Sequence, residues 1–203
     1  MSNPNLTEIV CILDKSGSMS SVRMDAIGGF NSFLKDQKGL ASEARLTTIL
    51  FDTDYKILYD GENIREVPEM SDQTYVPGGW TALLDAIGKA INTVGARLSE
   101  TDEPNRPSKV IFVILTDGEE NSSKEFTKEQ INNMITHQKD VYNWEFIFLA
   151  ANQDAIKEAG AIGINAAQAF NYVHDSHGTR SAYNTISCTV SNFRDTGDAK
   201  VNQ

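Results

Sequence analysis

Cysteine is scarce in this chain, and so are long apolar runs and positive charge. Only two cysteines occur, Cys11 and Cys188. They are too few for a disulfide scaffold, and Cys11 lies inside an apolar strand-like run, so both read as reduced thiols of a cytoplasmic protein. No apolar run approaches the roughly 20 residues that span a bilayer. The first ten residues carry neither a basic segment nor a long apolar stretch, so neither a membrane nor a secretory signal is expected. Lys and Arg number 18 against 28 Asp and Glu, a net charge of −10. That balance argues against broad binding of phosphate backbones, hence no nucleic acid, and suits a cation or a basic partner. No Gly-rich loop ends in Gly-Lys-Ser/Thr, and no Gly-x-Ser-x-Gly elbow is present. What remains is ordinary globular composition, 40% hydrophobic and 23% charged over 203 residues, enough for a substantial core.

Apolar runs alternate with helical patterns. Glu8 to Leu13, Lys109 to Leu115 and Glu145 to Ala150 are short, β-branched or near-continuous apolar runs, the mark of strands covered on both faces. Arg45 to Phe51 and Tyr55 to Tyr59 are strands joined by Asp52-Thr53-Asp54, an antiparallel hairpin. Helical spacing predicts helices over Met24 to Lys38, Thr81 to Leu98, Thr127 to Asp140, Asp154 to Ala159 and Arg180 to Phe193. Ala169 to Val173 reads as a weak edge strand, and the residues after Arg194 as a loose polar tail. This order predicts an α/β fold: a three-layer sandwich with a mostly parallel six-stranded sheet, one antiparallel edge strand and helices on both faces. No repeat or linker divides the chain, so a single domain over residues 1–203 is expected, its core spanning about 7–194 and its tail 195–203.

In such a sheet, ligands bind beyond the carboxyl ends of the strands. Three oxygen-rich segments lie there. The first strand exits into Asp14-Lys15-Ser16-Gly17-Ser18, the central apolar strand exits into Thr116-Asp117-Gly118, and Gly79-Trp80-Thr81 leads into the strongest helix. Asp14, Ser16, Ser18, Thr81 and Asp117 offer two carboxylates and three hydroxyls with no His or Cys among them. Hard oxygen donors suit Mg²⁺, with Mn²⁺ or Ca²⁺ as alternatives, and argue against Zn²⁺ or copper.

Asp14-x-Ser16-x-Ser18, a distant Thr81, and then Thr116-Asp117-Gly118 together resemble the metal ion-dependent adhesion site of von Willebrand factor type A domains. The stretch Gly79 to Ile87 resembles the loop and helix start of bacterial or phage-type stand-alone members, and the likeness extends from about Thr7 to Ala151. The resemblance implies a Rossmann-like sandwich and direct ligation by Ser16, Ser18 and, with a partner engaged, Thr81. Asp14 and Asp117 would act through water or outer hydrogen bonds. An open position would accept an Asp or Glu carboxylate from a partner protein, making the chain a metal-dependent binding module rather than an enzyme. Two alternatives stand beside it: a Mg²⁺-dependent phosphoryl-transfer hydrolase using Asp14, and a scaffold whose metal site is non-functional.

The neighbouring residues have plainer readings. Lys15 is expected to be solvated, Trp80 to pack beneath its loop (with an exposed rim as the alternative), and Asp52 and Asp54 to form the hairpin turn. Asp85 suits the positive end of its helix or bonds to loop groups, and Glu119 or Glu120 could close the open position. His137, His174 and His177 read as solvated or loop histidines.

Overall fold

A computed structural model describes residues 2–151 and 154–200. The strands are β1 (Asn3–Asp14), β2 (Glu43–Phe51), β3 (Tyr55–Asn63), β4 (Pro107–Thr116), β5 (Glu145–Ala150) and β6 (Ala169–Asn171). They form one sheet in the order β3-β2-β1-β4-β5-β6. Only β3 is antiparallel, paired to β2 through the Asp52–Asp54 turn; the other neighbours are parallel.

Among the described residues, five helices cover the faces: α1 (Arg23–Lys38), α2 (Leu83–Glu100), α3 (Lys128–Tyr142), α4 (Ala155–Ala161) and α5 (Ser176–Thr196). The strand period of two decides which face each residue meets. Ile9, Cys11 and Leu13 point with Ile111, Val113 and Leu115 into a core closed by α1 and α5. Val10, Ile12, Phe112 and Ile114 point the other way, under α2, α3 and α4. Both faces are therefore buried, which is why β1, β4 and β5 read as continuous apolar runs. One position breaks the run: Glu8 is buried on the α2 face, where Arg97 pairs with it at 2.7 Å and the Thr47 hydroxyl donates to it at 2.9 Å. A buried carboxylate needs such partners.

The elements differ from the sequence pattern mainly at their ends. β6 is shorter than expected, and α5 starts earlier, at Ser176, where Asp175 caps it by accepting the Gly178 N–H at 2.6 Å. At the other end α5 runs through Thr196, and Ala199 beyond it is buried where a loose tail was expected; residues 201–203 of that tail lie outside the described residues. Strands β1 and β4 are neighbours in the middle of the sheet, and the chain leaves β1 for β2 on one side and β4 for β5 on the other. Their carboxyl ends flank the crevice where strand order reverses.

Candidate metal centre

Asp14 closes β1 and is almost wholly buried. One carboxylate oxygen accepts the Ser16 N–H at 2.7 Å and the other accepts the Thr116 hydroxyl at 2.7 Å. Burial pushes its carboxyl up to about 6, against the lowering effect of these hydrogen bonds, and the charge of Asp117 adds to the rise. Beneath it, Tyr75 donates its hydroxyl to the Asp14 carbonyl at 2.5 Å, and Tyr172 donates to the Thr116 carbonyl at 3.1 Å. Burial holds both phenols well above their usual range, so they stay protonated donors.

Across the crevice, Asp117 follows β4. Its Oδ1 accepts the Ser18 hydroxyl at 2.9 Å and the Ser16 hydroxyl at 3.5 Å, and the two serine oxygens lie 3.2 Å apart. Thr81 is buried, and its hydroxyl lies 3.3 Å from where a Cβ on Gly118 would sit. The Thr81 carbonyl accepts N–H groups of Asn121 and Ser122, while its own N–H donates to the Asn121 side chain at 3.0 Å. The fold thus brings Asp14, Ser16, Ser18 and Asp117 to one point and seats Thr81 against the loop that carries Asp117.

The loop before Thr81 is stitched down on both sides. Gly17 N–H donates to the Gly79 carbonyl at 3.2 Å, Gly78 N–H to the Lys15 carbonyl at 2.8 Å, and Trp80 N–H to Thr53 Oγ1 at 2.8 Å. Gly79 has φ +66°, and a Cβ there would meet Thr53 Oγ1 at 2.7 Å, so the close approach and the backbone angle both call for glycine. Lys15 is not solvated as expected; it forms an ion pair with Asp52, whose other oxygen accepts the Asp54 N–H and shapes the hairpin. Trp80 does not pack beneath the loop: it is 68% exposed, because its backbone is held by Thr53 and its ring faces outward.

The acidic residues on the α2 side face inward to backbone. Glu120 accepts the N–H groups of Leu84, Ser122 and Ser123 at 2.7–3.0 Å. Asp85 accepts those of Lys124, Glu125 and Phe126, each at 2.9 Å. Burial raises the Asp85 carboxyl, but these donors outweigh it and leave the group below its ordinary value. His174 is the larger departure. The imidazole expected to be a solvated or loop group lies 3.3 Å from Asp117 Oδ2 through Nδ1 and 3.0 Å from Ser21 Oγ through Nε2. Tyr75, Tyr172 and His174 were not legible as site residues, since no local spacing links them to Asp14 or Asp117.

The donor set fits a hard divalent cation. Bound at about 2.0–2.1 Å in an octahedron, adjacent ligand atoms sit about 3 Å apart; the Ser16 and Ser18 hydroxyl oxygens lie 3.2 Å apart, with Asp117 Oδ1 accepting from both. Among the described residues no cluster of three or more His, Cys, Asp or Glu is placed to hold a metal, so an ion here would lean on hydroxyls.

A model of the von Willebrand factor type A domain matches residues 8–185. The chain belongs to that family. No curated protein matches it. Solved structures do, at identities that speak for the fold alone. The von Willebrand domain of the type V pili tip protein Mfa5 from Porphyromonas gingivalis has a TM-score of 0.64 at 11% identity, covering 94% of this chain and 96% of that one. Manganese-loaded Plasmodium vivax TRAP protein has 0.60 at 15%, covering 88% and 72%. Proximal thread matrix protein 1 from the mussel byssus, with a zinc-occupied MIDAS motif, has 0.58 at 13%, covering 92% and 45%. This chain therefore spans less than half of the thread matrix protein. No helix among the described residues is long and apolar enough to cross a membrane.

Proposed function

We propose that this chain is a metal-dependent protein-binding module, in which a divalent cation at the β1–β4 crevice receives an Asp or Glu carboxylate of a partner. The observation that carries the reading is the meeting of the Ser16, Ser18 and Asp117 oxygens within 2.9–3.5 Å beside buried Asp14. Ser16, Ser18 and Thr81 would hold the ion directly, and Asp14 and Asp117 would act through water or through hydrogen bonds to those ligands. An ion held mostly by neutral hydroxyls keeps its positive charge and so attracts an incoming acid group.

Asp14 already spends its oxygens on Ser16 N–H and Thr116, which suits an outer role. Glu120 is committed to the N-terminus of α2 rather than to the crevice, which leaves room for an outside carboxylate. Exposed Met24, Val76, Trp80 and Val173 each stand next in sequence to a residue of the site framework: Arg23 (bonded to the Tyr75 carbonyl), Tyr75, Thr81 and His174. Exposed apolar side chains so close in sequence to the site suit a partner whose acid group is flanked by apolar side chains. Proximal thread matrix protein 1 carries zinc in its MIDAS motif and Plasmodium vivax TRAP protein is manganese-loaded; for this chain the oxygen donors favour Mg²⁺, with Mn²⁺ or Ca²⁺ as alternatives, in a cytoplasmic setting that suits its free cysteines.

The test is an affinity capture from the native host with Mg²⁺ present, repeated with chelator. The reading requires a partner retained with Mg²⁺ and released by chelator. Retention that chelator leaves unchanged would favour a scaffold with a non-functional site.

A further inference from the structure

Asp117 has close neighbours on two sides. Its Oδ1 takes the Ser16 and Ser18 hydroxyls, and its Oδ2 lies 3.3 Å from His174 Nδ1. The imidazole is itself held at its far edge, where Nε2 lies 3.0 Å from Ser21 Oγ. Ser21 Oγ also lies 3.3 Å from the Ser18 carbonyl, and the tautomer in which Nε2 accepts from Ser21 is the one that turns an Nδ1 proton toward Asp117.

The segment that carries His174 is built rather than loose. Tyr172 is fixed at both ends, its N–H on the Ala150 carbonyl at 3.0 Å and its hydroxyl on the Thr116 carbonyl at 3.1 Å. Asp175 N–H donates to the Val173 carbonyl at 2.8 Å, and its side chain caps α5. Gly178 lies so close beneath that a Cβ there would come within 2.0 Å of the Val173 carbonyl oxygen, so the loop rests on backbone. The His174 side chain is only 16% exposed, and its Nδ1 is buried.

We propose that His174 is a positioning residue of the metal site: it holds Asp117 Oδ2 so that Oδ1 stays turned toward Ser16 and Ser18, without itself ligating the ion. This rests on the metal-site reading above. The physical reason is geometric. A carboxylate free to rotate offers its oxygens in many directions, whereas one anchored by an outer donor presents a single oxygen to the hydroxyls that share the ion. Because the imidazole faces the oxygen turned away from those hydroxyls, it stands behind Asp117. It also ties Asp117 to Ser21, in the 3-10 turn Gly17–Val22 that carries Ser18.

The experiment is calorimetric titration of Mn²⁺ into the wild-type chain and into His174→Ala, His174→Asn and His174→Gln, with melts in chelator to compare the metal-free folds. The Asn amide reaches the place of Nδ1, and the Gln amide reaches that of Nε2. His174→Ala is expected to weaken Mn²⁺ binding about 10- to 100-fold, with Asn restoring affinity to within about threefold of wild type and Gln failing to do so. Electron spin echo spectra of bound Mn²⁺ should show no directly coordinated nitrogen in any form. Wild-type uptake that His174→Ala leaves unchanged overturns the positioning role alone, as does rescue by Gln but not Asn, or a coordinated nitrogen lost in His174→Ala. A wild-type chain that takes up no Mn²⁺ overturns the metal-site reading and this proposal with it.

Discussion

Thr116 donates its hydroxyl proton to Asp14 Oδ2 at 2.7 Å, so the last residue of β4 holds the last residue of β1 across the crevice. Both side chains are buried. Removing the donor leaves a buried carboxylate short of a partner, and hydrogen bonds to charged groups are worth about 1.5–3 kcal/mol. Thr116→Val, which keeps the shape, should therefore lower stability by about that amount in urea unfolding at pH 7.5. A variant as stable as wild type would mean that Asp14 does not draw on this bond.

The raised Asp14 carboxyl gives the metal-free protein a defined pH response. Its folded value of about 6 exceeds the ordinary 3.8. The stability it contributes is thus fully present below about pH 3.8 and is lost as pH rises through about 6, a span of about 3 kcal/mol. On this group alone, melts in chelator should rise in temperature as pH falls from 7.5 to 5. Asp14→Asn should flatten that slope. If both forms respond in parallel, the titration belongs elsewhere.

Metal binding runs the opposite way, because it uses the carboxylate form. Saturating Mn²⁺ at about 100 times its dissociation constant should stabilise the wild-type chain by about 2.7 kcal/mol, and the gain should shrink as pH falls through 6. Asp117→Ala should abolish the gain while its melt in chelator still shows a cooperative transition. A Mn²⁺ shift that survives in Asp117→Ala would remove Asp117 from the site.

The sheet was legible because its signals are local. The runs at Lys109 to Leu115 and Glu145 to Ala150 are covered on both faces, and a continuous apolar stretch records that without reference to anything distant. Asp14, Ser16 and Ser18 were legible for a similar reason, since one tight loop places them together. The start of α5 was not, because Ser176-His177-Gly178 has poor helix propensity and is held by the Asp175 cap and by packing on Val173. Lys15 with Asp52, His174 with Asp117, and Tyr75 with Asp14 meet only after folding. No periodicity foretells such pairs. Trp80 misled because a large ring usually finds cover, and here its backbone is pinned by Thr53 on an outward-facing turn.

Asp85 makes a prediction about the loop rather than the ion. It accepts three consecutive backbone N–H groups from Lys124 to Phe126, and Glu120 fastens the same loop to Leu84. Asp85→Ala strips all three donors of their acceptor at once, at about 1–3 kcal/mol for each group left buried and unpaired. Water reaching the half-buried loop should hold the net loss to roughly 2–4 kcal/mol. Hydrogen exchange should quicken at residues 121–126 while β4 keeps its protection. Uniform quickening throughout the sheet would show that Asp85 supports the fold as a whole instead.

Trp80 separates binding of the ion from binding of the partner. Its ring is exposed, so Trp80→Ala should change stability by no more than about 0.5 kcal/mol. Its N–H bond to Thr53 belongs to the backbone and persists in the variant, so the Thr81 loop and Mn²⁺ affinity should hold. Capture of a partner that needs Mg²⁺ should nevertheless fall about tenfold or more, since an exposed tryptophan beside a binding crevice has the character of an interface anchor. Unchanged capture would take Trp80 out of the interface and confine recognition to the crevice. A parallel loss of Mn²⁺ affinity would instead assign the ring to holding the Thr81 loop.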